Sequence, residues 1–466
     1  MKTRIEHDFL GDREIPNDVY YGIQTLRAIE NFPISKIPIA NAPTLIQAFG
    51  YVKKAAALAN QATGVLEEKK ARAIVQACDV LIAGDMLDQF PVDMFQGGAG
   101  TSVNMNANEV IANKALEFLG YPKGTYEHLH PNNDVNCSQS TNDAYPTAFR
   151  IALYQQIGSL LKSMERLQVS FAKKGEAFKD VLKMGRTQLQ DAVPMTLGQE
   201  FTAFAVTIGE DIKRLEEARA LITEVNLGAT AIGTGINAPE GYAEKAVQYL
   251  AEITGIAVTL SPNLIEATWD TGAYVQISGV LKRIAVKISK ICNDLRLLSS
   301  GPRAGFNEIN LPALQPGSSI MPGKVNPVMP ELINQIAFQV MGSDVTIGIA
   351  AEAGQLQLNV MEPVIAFNLF FVMNILEKGF DALREKCIEG ITANEKVCKE
   401  MVFNSIGIVT ALNPLIGYEN AASIAREALE TGGSVYDIVL QRKLLSKEKL
   451  DEVFSFDNMI NPKFVR

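Results

Sequence analysis

The stretch that decides the fold runs from residue 277 to residue 298 and reads ISGVLKRIAVKISKICNDLRLL. Its apolar residues recur at steps of four and three without a break: Ile277, Leu281, Ile284, Ile288, Ile291, Leu295 and Leu298. This spacing predicts one α-helix with a continuous apolar seam along one face. Because the seam continues over about three heptads, we expect the helix to pack lengthwise against other long helices.

Two neighbouring segments are also strongly helical. Residues 327–351 and 356–383 are apolar on more than one helical face. A helix of that kind is buried in a bundle, and such bundles are often larger than a single chain can build. Alternating strand patterns are lacking in this part of the sequence. We therefore expect an all-α fold with a central bundle of long helices.

The flanking segments predict a three-domain organisation. Residues 1–140 should form an N-terminal, mostly helical domain, although the first forty residues are rich in Pro, Gly, Asp and Asn and should be mostly irregular. Residues 141–393 should form the central helix-bundle domain. Beyond them, short helices alternate with glycines and prolines, which predicts a small C-terminal helical domain over residues 394–466.

The composition argues against several functional classes. The chain has 466 residues and a formal charge of −9, so it should not bind nucleic acid non-specifically. Five cysteines without C-x-x-C spacing fit reduced thiols, and His128 and His130 lack the further ligands of a metal set. We expect no metal and no other cofactor. The charged N-terminus has no apolar signal core, and the apolar run 364–376 is too short to span a membrane, so a cytoplasmic protein is expected.

Residues 317–327, GSSIMPGKVNP, concentrate reactive groups in a segment that is a poor helix and a poor strand. Backbone N–H groups from Gly317 to Ser319 could form an anion-attracting nest. With the Lys324 ammonium nearby, such a nest would lower the cost of forming a serine alkoxide. Ser318 or Ser319 is therefore a candidate base or nucleophile. The alternative is an ordinary Gly/Pro/Ser surface loop.

Three other polar turns precede predicted helices. They are residues 96–102 (QGGAGTS), 136–143 (NCSQSTND) and 185–191 (GRTQLQD), the last followed by a helix that Pro194 should open. Helix N-termini preceded by hydroxyls are suited to binding carboxylates, and three of them could converge on one anion. In the first turn the simpler alternative is that Thr101 or Ser102 only caps its helix.

These motifs resemble those of the fumarase/aspartase superfamily. Residues 317–327 are similar to its GSSxMPxKxNP signature, and residues 4–11 and 20–28 resemble its R-x-E-x-D-x-x-G and YYGxQTxRA openings. The resemblance covers nearly the whole chain, with the hydroxyl turns in family order. It is closest to the branch that acts on aspartate, in four stretches: residues 140–146, 185–196, 326–331 and 359–364. Fumarases usually have histidine in place of Gln188 and usually lack Pro330 and Glu362.

The resemblance implies an all-α, three-domain lyase fold that assembles into a homotetramer with a central multi-helix core. Each active site would take residues from three chains, and the seam of residues 277–298 should be buried between chains. The implied reaction is the reversible deamination of the small dicarboxylate L-aspartate to fumarate and ammonia. A fumarate hydratase acting on L-malate is the enzymatic alternative, and a non-catalytic structural homologue is a further one.

The resemblance also assigns roles to individual residues. Ser318 would be the base that removes the C3 proton, giving an aci-carboxylate intermediate. The β-carboxylate would be bound by Thr101, Ser140, Thr141 and Ser319. The α-carboxylate would be held by Lys324, Asn326 and Thr187, and the amino group by Asn142 and Gln188. Met321 of the same loop would complete the substrate contacts.

Overall fold

The computed structural model describes residues 2–460 and confirms the prediction of a mainly helical chain. Its α-helices are α1 (Ile23–Asn31), α2 (Pro43–Ala62), α3 (Glu68–Ile82), α4 (Thr101–Phe118), α5 (Thr141–Ala177), α6 (Leu197–Ala220), α7 (Tyr242–Thr254), α8 (Leu264–Trp269), α9 (Gly272–Leu298), α10 (Val328–Glu352), α11 (Glu362–Lys386), α12 (Glu395–Asn404), α13 (Asn413–Ile416), α14 (Tyr418–Thr431), α15 (Val435–Gln441), α16 (Lys447–Val453) and α17 (Phe456–Ile460).

The strands within residues 2–460 pair into four small two-stranded sheets. They are β1 (Thr3–Asp8) with β2 (Gly11–Pro16), β3 (Leu182–Thr187) with β4 (Gln190–Thr196), β5 (Glu224–Val225) with β6 (Thr259–Leu260), and β7 (Ile309–Asn310) with β8 (Thr392–Ala393). Among these strand pairs of residues 2–460, β5 and β6 are parallel and the other three pairs are antiparallel.

Contacts divide the chain into two compact units. The first comprises the residues up to Lys162, together with Lys213–Ala285 and Phe338–Glu377. The second comprises Ser163–Ile212, Val286–Ala337 and the residues from Lys378 onward.

The N-terminal residues form a hairpin, so the expectation of an irregular opening is wrong. β1 and β2 pair in register from Thr3 opposite Pro16 to Asp8 opposite Gly11. Alternate β1 side chains face inward and find charged partners: Arg4 donates to Glu6 at 2.7 Å, and Asp8 accepts two bonds of 2.7 Å from Arg27. The strand was not recognised because its inward residues are charged rather than apolar.

Long helices dominate residues 141–386, as the sequence predicted. α5, α6, α9, α10 and α11 contain 37, 24, 27, 25 and 25 residues. In the first unit α9 and α10 are joined by a hydrogen bond of 2.7 Å from Ser278 Oγ to Asp344 Oδ1. In the second unit Asn334 on α10 donates to Ser289 Oγ on α9 at 2.8 Å.

The apolar seam of α9 is buried within the single chain. All seven of its residues are at most 5% exposed without any partner chain. The prediction that this seam is buried between chains is therefore wrong. An apolar stripe shows that a helix face will be covered, but its period does not say which chain provides the cover.

One described helical segment, Glu362–Gly390, is long and apolar enough to cross a membrane by length and composition. Within its apolar window, 61% of the residues are buried inside the protein. The core helix of a globular protein has the same properties.

The segment 185–196 is a hairpin rather than a turn that opens a helix. Pro194 lies in β4, and α6 begins only at Leu197, so the expected helix start is wrong. β3 is covered by apolar residues of the C-terminal helices: Leu182 and Met184 share a buried cluster with Val402, Ile408, Leu412 and Ile424. This packing over a large separation in sequence decides the strand conformation.

Candidate active site

The first hydroxyl turn ends where α4 begins. Gly100 is the N-cap residue with φ of 88°, and Thr101 is the first residue of the helix. The interpretation that Thr101 or Ser102 caps the helix is wrong, because the N-cap position is occupied by Gly100, which has no side chain to cap with. The exposed Thr101 side chain therefore lies at a helix N-terminus, where backbone N–H groups favour an anion.

The second hydroxyl turn is held by the buried carboxylate of Asp143. Its oxygens accept hydrogen bonds from the N–H groups of Ser140, Gly228 and Thr230 at 2.9, 3.0 and 2.9 Å. Burial raises the pKa of Asp143 to about 6, although these N–H groups act in the opposite direction. The contacts fix the backbone at the start of α5.

The glycine-rich segment 226–235, NLGATAIGTG, orients Asn142 and was not recognised from sequence. Asn142 Nδ2 donates to Ala231 O at 2.7 Å, and Asn226 Nδ2 donates to Asn142 O at 3.0 Å. Because the amide nitrogen of Asn142 already binds protein, its side-chain oxygen is the atom suited to accept a bond from an ammonium group. The closely spaced glycines of this segment were the sequence feature that could have indicated its role at the site.

A buried polar network lies behind Thr141. Asn104 Nδ2 is 3.1 Å from both Thr141 Oγ1 and Asn136 Oδ1, and Lys53 Nζ donates to the same Asn136 oxygen at 3.0 Å. Burial lowers the pKa of Lys53 to about 7. Since Thr141 Oγ1 accepts a bond from Asn104, its own proton can be donated to a carboxylate. Lys53 and Asn104 were not predicted from the sequence. Each is a polar residue on a helix face that is otherwise buried, and that was the sequence feature that could have indicated them.

Thr187 and Gln188 lie exposed at the tip of the β3–β4 hairpin. Thr187 pairs with Gln190, so the turn contains only Gln188 and Leu189, with φ of 53° and 62°. Two-residue turns with both φ values positive usually contain Asn or Gly. Such strained residues persist only where the surrounding structure enforces them, and they concentrate at functional sites.

The signature loop surrounds the Ser318 hydroxyl with backbone donors. Ser318 Oγ accepts hydrogen bonds from the N–H groups of Ile320 at 3.2 Å and Met321 at 3.1 Å. The expected nest from residues 317 to 319 is thus displaced by two residues towards the C-terminus. The loop base is closed by Gly317 N donating to Lys324 O at 2.7 Å.

A cavity of about 430 Å³ opens on this loop. Ser318, Met321 and Lys324 line it, whereas Ser319 is exposed and does not. Asn326 Nδ2 donates to Gly317 O at 2.7 Å, so this side chain braces the loop with at least one of its N–H groups.

The proposed site residues fall into both units. The first unit holds Thr101, Ser140, Thr141 and Asn142, and the Asn104 side chain links the starts of α4 and α5. The second unit holds Thr187, Gln188, Ser318, Ser319, Met321, Lys324 and Asn326. Among residues 2–460, no cluster of three or more His, Cys, Asp or Glu side chains is arranged to hold a metal ion.

Comparison with known proteins identifies the class of this chain. Residues 11–342 match the family described as Lyase, and residues 408–461 match the family described as Fumarase C C-terminus. The chain therefore belongs to the fumarase/aspartase superfamily and is an enzyme of the lyase class.

Its similarity to individual proteins is high over the full length. Aspartate ammonia-lyase of Helicobacter pylori (strain ATCC 700392 / 26695) is 60% identical over 459 residues, 98% of either chain. The aspartate ammonia-lyases of Pseudomonas fluorescens and Escherichia coli (strain K12) are 61% and 57% identical, each covering 99% of this chain and 97% of its own.

Solved structures share the fold. The fumarate lyase:delta crystallin from Brucella melitensis bound to cobalt superposes with a TM-score of 0.97 at 55% identity, covering 99% of this chain and 100% of that one. The class II fumarase from Schistosoma mansoni gives a TM-score of 0.93 at 33% identity with the same coverage.

Proposed function

We propose that this chain is a carbon–nitrogen lyase that reversibly deaminates L-aspartate to fumarate and ammonia. The observation that carries the proposal is the Ser318 hydroxyl, which accepts two backbone N–H bonds in a loop cavity that Lys324 also lines. These donors stabilise an alkoxide without a neighbouring histidine. Full-length relatives named aspartate ammonia-lyase support the choice of substrate.

In the proposed mechanism Ser318 removes the C3 proton of aspartate. Charge then develops on the β-carboxylate as the aci-carboxylate forms, so groups that donate to that carboxylate lower the barrier. Thr101 and Thr141 at the starts of α4 and α5 are suited to this role, because helix N-termini favour negative charge. Ser140 and Ser319 supply the remaining hydroxyls.

The other end of the substrate is proposed to bind to a different set of groups. Lys324, with Asn326 and Thr187, would hold the α-carboxylate, whose charge does not change in the reaction. Asn142 and Gln188 would accept bonds from the amino group, and Met321 would contact the substrate from the loop. Collapse of the aci-carboxylate then expels ammonia and leaves fumarate.

We also propose a homotetramer whose active sites combine residues of three chains. Phe338, Val345 and Ile349 on α10 are 62%, 58% and 65% exposed in the single chain and recur at helical spacing. An apolar stripe of this kind is typical of a surface covered by another chain.

The division into residues 1–140, 141–393 and 394–466 remains our proposal for the domains of this chain. We also propose a cytoplasmic location, which its free cysteines support.

The deciding experiment follows fumarate absorbance with L-aspartate and with L-malate as alternative substrates. We expect fumarate from L-aspartate only. Fumarate from L-malate alone would identify a hydratase, and fumarate from neither would favour a non-catalytic homologue.

A further inference from the structure

The buried carboxylate of Glu308 joins the two parts of the second unit that carry proposed substrate groups. Its side chain is fully buried. Oε1 accepts a hydrogen bond of 2.6 Å from Arg186, and Oε2 forms an ion pair of 3.0 Å with Lys183. Both cations belong to β3, the strand that ends at Thr187.

Lys183 and Arg186 reach the same carboxylate although they lie three residues apart in β3. Residues three apart in a regular strand point to opposite faces, so this shared contact indicates an irregular hairpin. The β3–β4 register shifts between Met184 and Arg186, and the extra residue lies on β4, because Met184 faces Pro194 whereas Arg186 faces Asp191. A Cβ on Gly185 would lie 2.9 Å from Val193 O, so the close approach of the two strands requires glycine there.

Glu308 is itself fixed by the backbone that leads to the signature loop. Its N–H donates to Leu298 O at 2.8 Å, and its carbonyl accepts from Asn394 N at 2.9 Å. The next residues form β7, and the loop begins at Gly317. Arg186 is further held by stacking on Phe306, 4.1 Å from the ring centroid.

We propose that Glu308 is a positioning residue that clamps β3 to the stem of the signature loop and thereby holds Thr187 and Gln188 in their binding geometry. This inference rests on the proposed function, because it takes these two residues as substrate contacts. The strained turn needs such a clamp, since Gln188 and Leu189 would otherwise relax from their left-handed conformations. β4 is anchored separately by Ser405 Oγ donating to Asp191 Oδ2 at 2.7 Å.

The test compares Glu308→Gln with Glu200→Gln. The substitution at Glu308 keeps the shape of the side chain but removes the charge between Lys183 and Arg186. Glu200 is the matched control, because its carboxylate accepts a bond of 2.5 Å from the same Lys183, whereas Arg186 donates its bond to Glu308. Thr187 would hold the α-carboxylate, whose charge does not change in the reaction, so its displacement should mainly weaken substrate binding. We therefore expect KM for L-aspartate to rise about tenfold or more with kcat within about threefold.

A second measurement tests the role of Glu308 independently of enzyme activity. Hydrogen exchange of the amides of residues 186–191 should be faster in Glu308→Gln and unchanged in Glu200→Gln. If Glu308→Gln does not fold, Glu308→Asp, which withdraws the carboxylate by one methylene, is judged by the same two criteria.

The outcomes separate this inference from the proposed function. A KM within about twofold of wild type together with unchanged hairpin exchange overturns the clamp. Equal effects of the Glu308 and Glu200 substitutions also overturn it, because they would indicate general destabilisation. A wild-type enzyme inactive on L-aspartate refutes the proposed function, and hairpin exchange then still decides whether Glu308 holds the turn.

Discussion

At the scale of single residues, Ser318 obtains its proposed reactivity from the backbone. The N–H groups of Ile320 and Met321 both point at its oxygen. Backbone donors in a short loop are already oriented before the proton is removed, so they stabilise an alkoxide without further reorganisation. The position of Ser318 in the loop, rather than a second side chain, would therefore make it a base.

Replacing Ser318 by alanine tests this role. Ser318→Ala should lower kcat by about 10²–10⁴-fold, the usual contribution of a general base, and leave the thermal midpoint near that of wild type. Steady-state kinetics and thermal unfolding are measured on the same preparation. Near-normal turnover of L-aspartate would remove Ser318 from the mechanism.

Lys324 is expected to act in binding more than in chemistry. Lys324→Met should raise KM for L-aspartate by about tenfold or more, because a charge-assisted bond to the α-carboxylate is lost. A smaller fall in kcat should accompany it, since a misplaced substrate presents its C3 proton poorly to Ser318. Lys396→Met is the control, because that side chain is 89% exposed on α12. Unchanged KM and kcat in Lys324→Met would contradict the assignment.

Glu362 should make stability depend on pH. Burial raises its pKa to about 8, with partial compensation by Arg150. The folded state therefore holds this proton more tightly than the unfolded state, whose carboxyl titrates near 4.5. The contribution of this proton to the free energy of unfolding is fully present below about pH 4.5 and is lost as pH rises through about 8. It amounts to about 1.4 kcal/mol per unit of difference between the two pKa values.

Glu362→Gln imitates the protonated side chain at every pH. The wild-type thermal midpoint should fall between pH 5 and pH 8, and the variant should lose part of that fall. The remainder is due to Glu109 and Asp143, whose pKa values burial raises to about 7 and about 6. Parallel curves for the two proteins would show that Glu362 does not titrate in this range.

At the scale of elements, the start of α4 depends on close packing against α5. Gly100 has φ of 88°, and a Cβ there would overlap the ring of the buried Tyr145. The absence of a side chain lets the two helix starts approach each other. The proposed anion site of Thr101 and Thr141 depends on that approach.

Alanine substitutions at the two ends of α4 separate the cost of a left-handed backbone from the cost of a steric clash with Tyr145. Gly100→Ala should lower the free energy of unfolding by about 2–4 kcal/mol, since it adds a clash to the cost of a left-handed alanine. Gly120 follows the same helix with φ of 83° and open space around it, so Gly120→Ala should cost only about 1 kcal/mol. Equal losses in urea unfolding would contradict the overlap.

At the scale of the whole molecule, assembly is expected to depend on α10 rather than on the seam of α9. Ile349→Asp should yield a folded species smaller than the wild-type assembly on size-exclusion chromatography, with loss of activity, because it places a charge in the proposed interface. Ile284→Asp should instead fail to fold, since this residue is 2% exposed within one chain. A fully active monomer would refute the shared active site.

The sequence by itself determined the helical character of residues 141–386, the short C-terminal helices and the loop that presents Ser318. These features depend on the local periodicity of apolar residues and on the conformational limits of glycine and proline. Both act between residues close in sequence, so they require no contact with the rest of the chain. The match to the superfamily signature also identified the candidate substrate groups.

Only the tertiary structure decided that the α9 seam is covered within the chain, that residues 3–16 form a hairpin, and that Lys53, Asp143 and Glu308 lie behind the proposed site. Each outcome depends on contacts between segments far apart in sequence. A buried ion is tolerated only where the fold supplies its counter-charge and hydrogen-bond partners. Because those partners come from distant segments of the chain, the sequence next to the ion does not predict them.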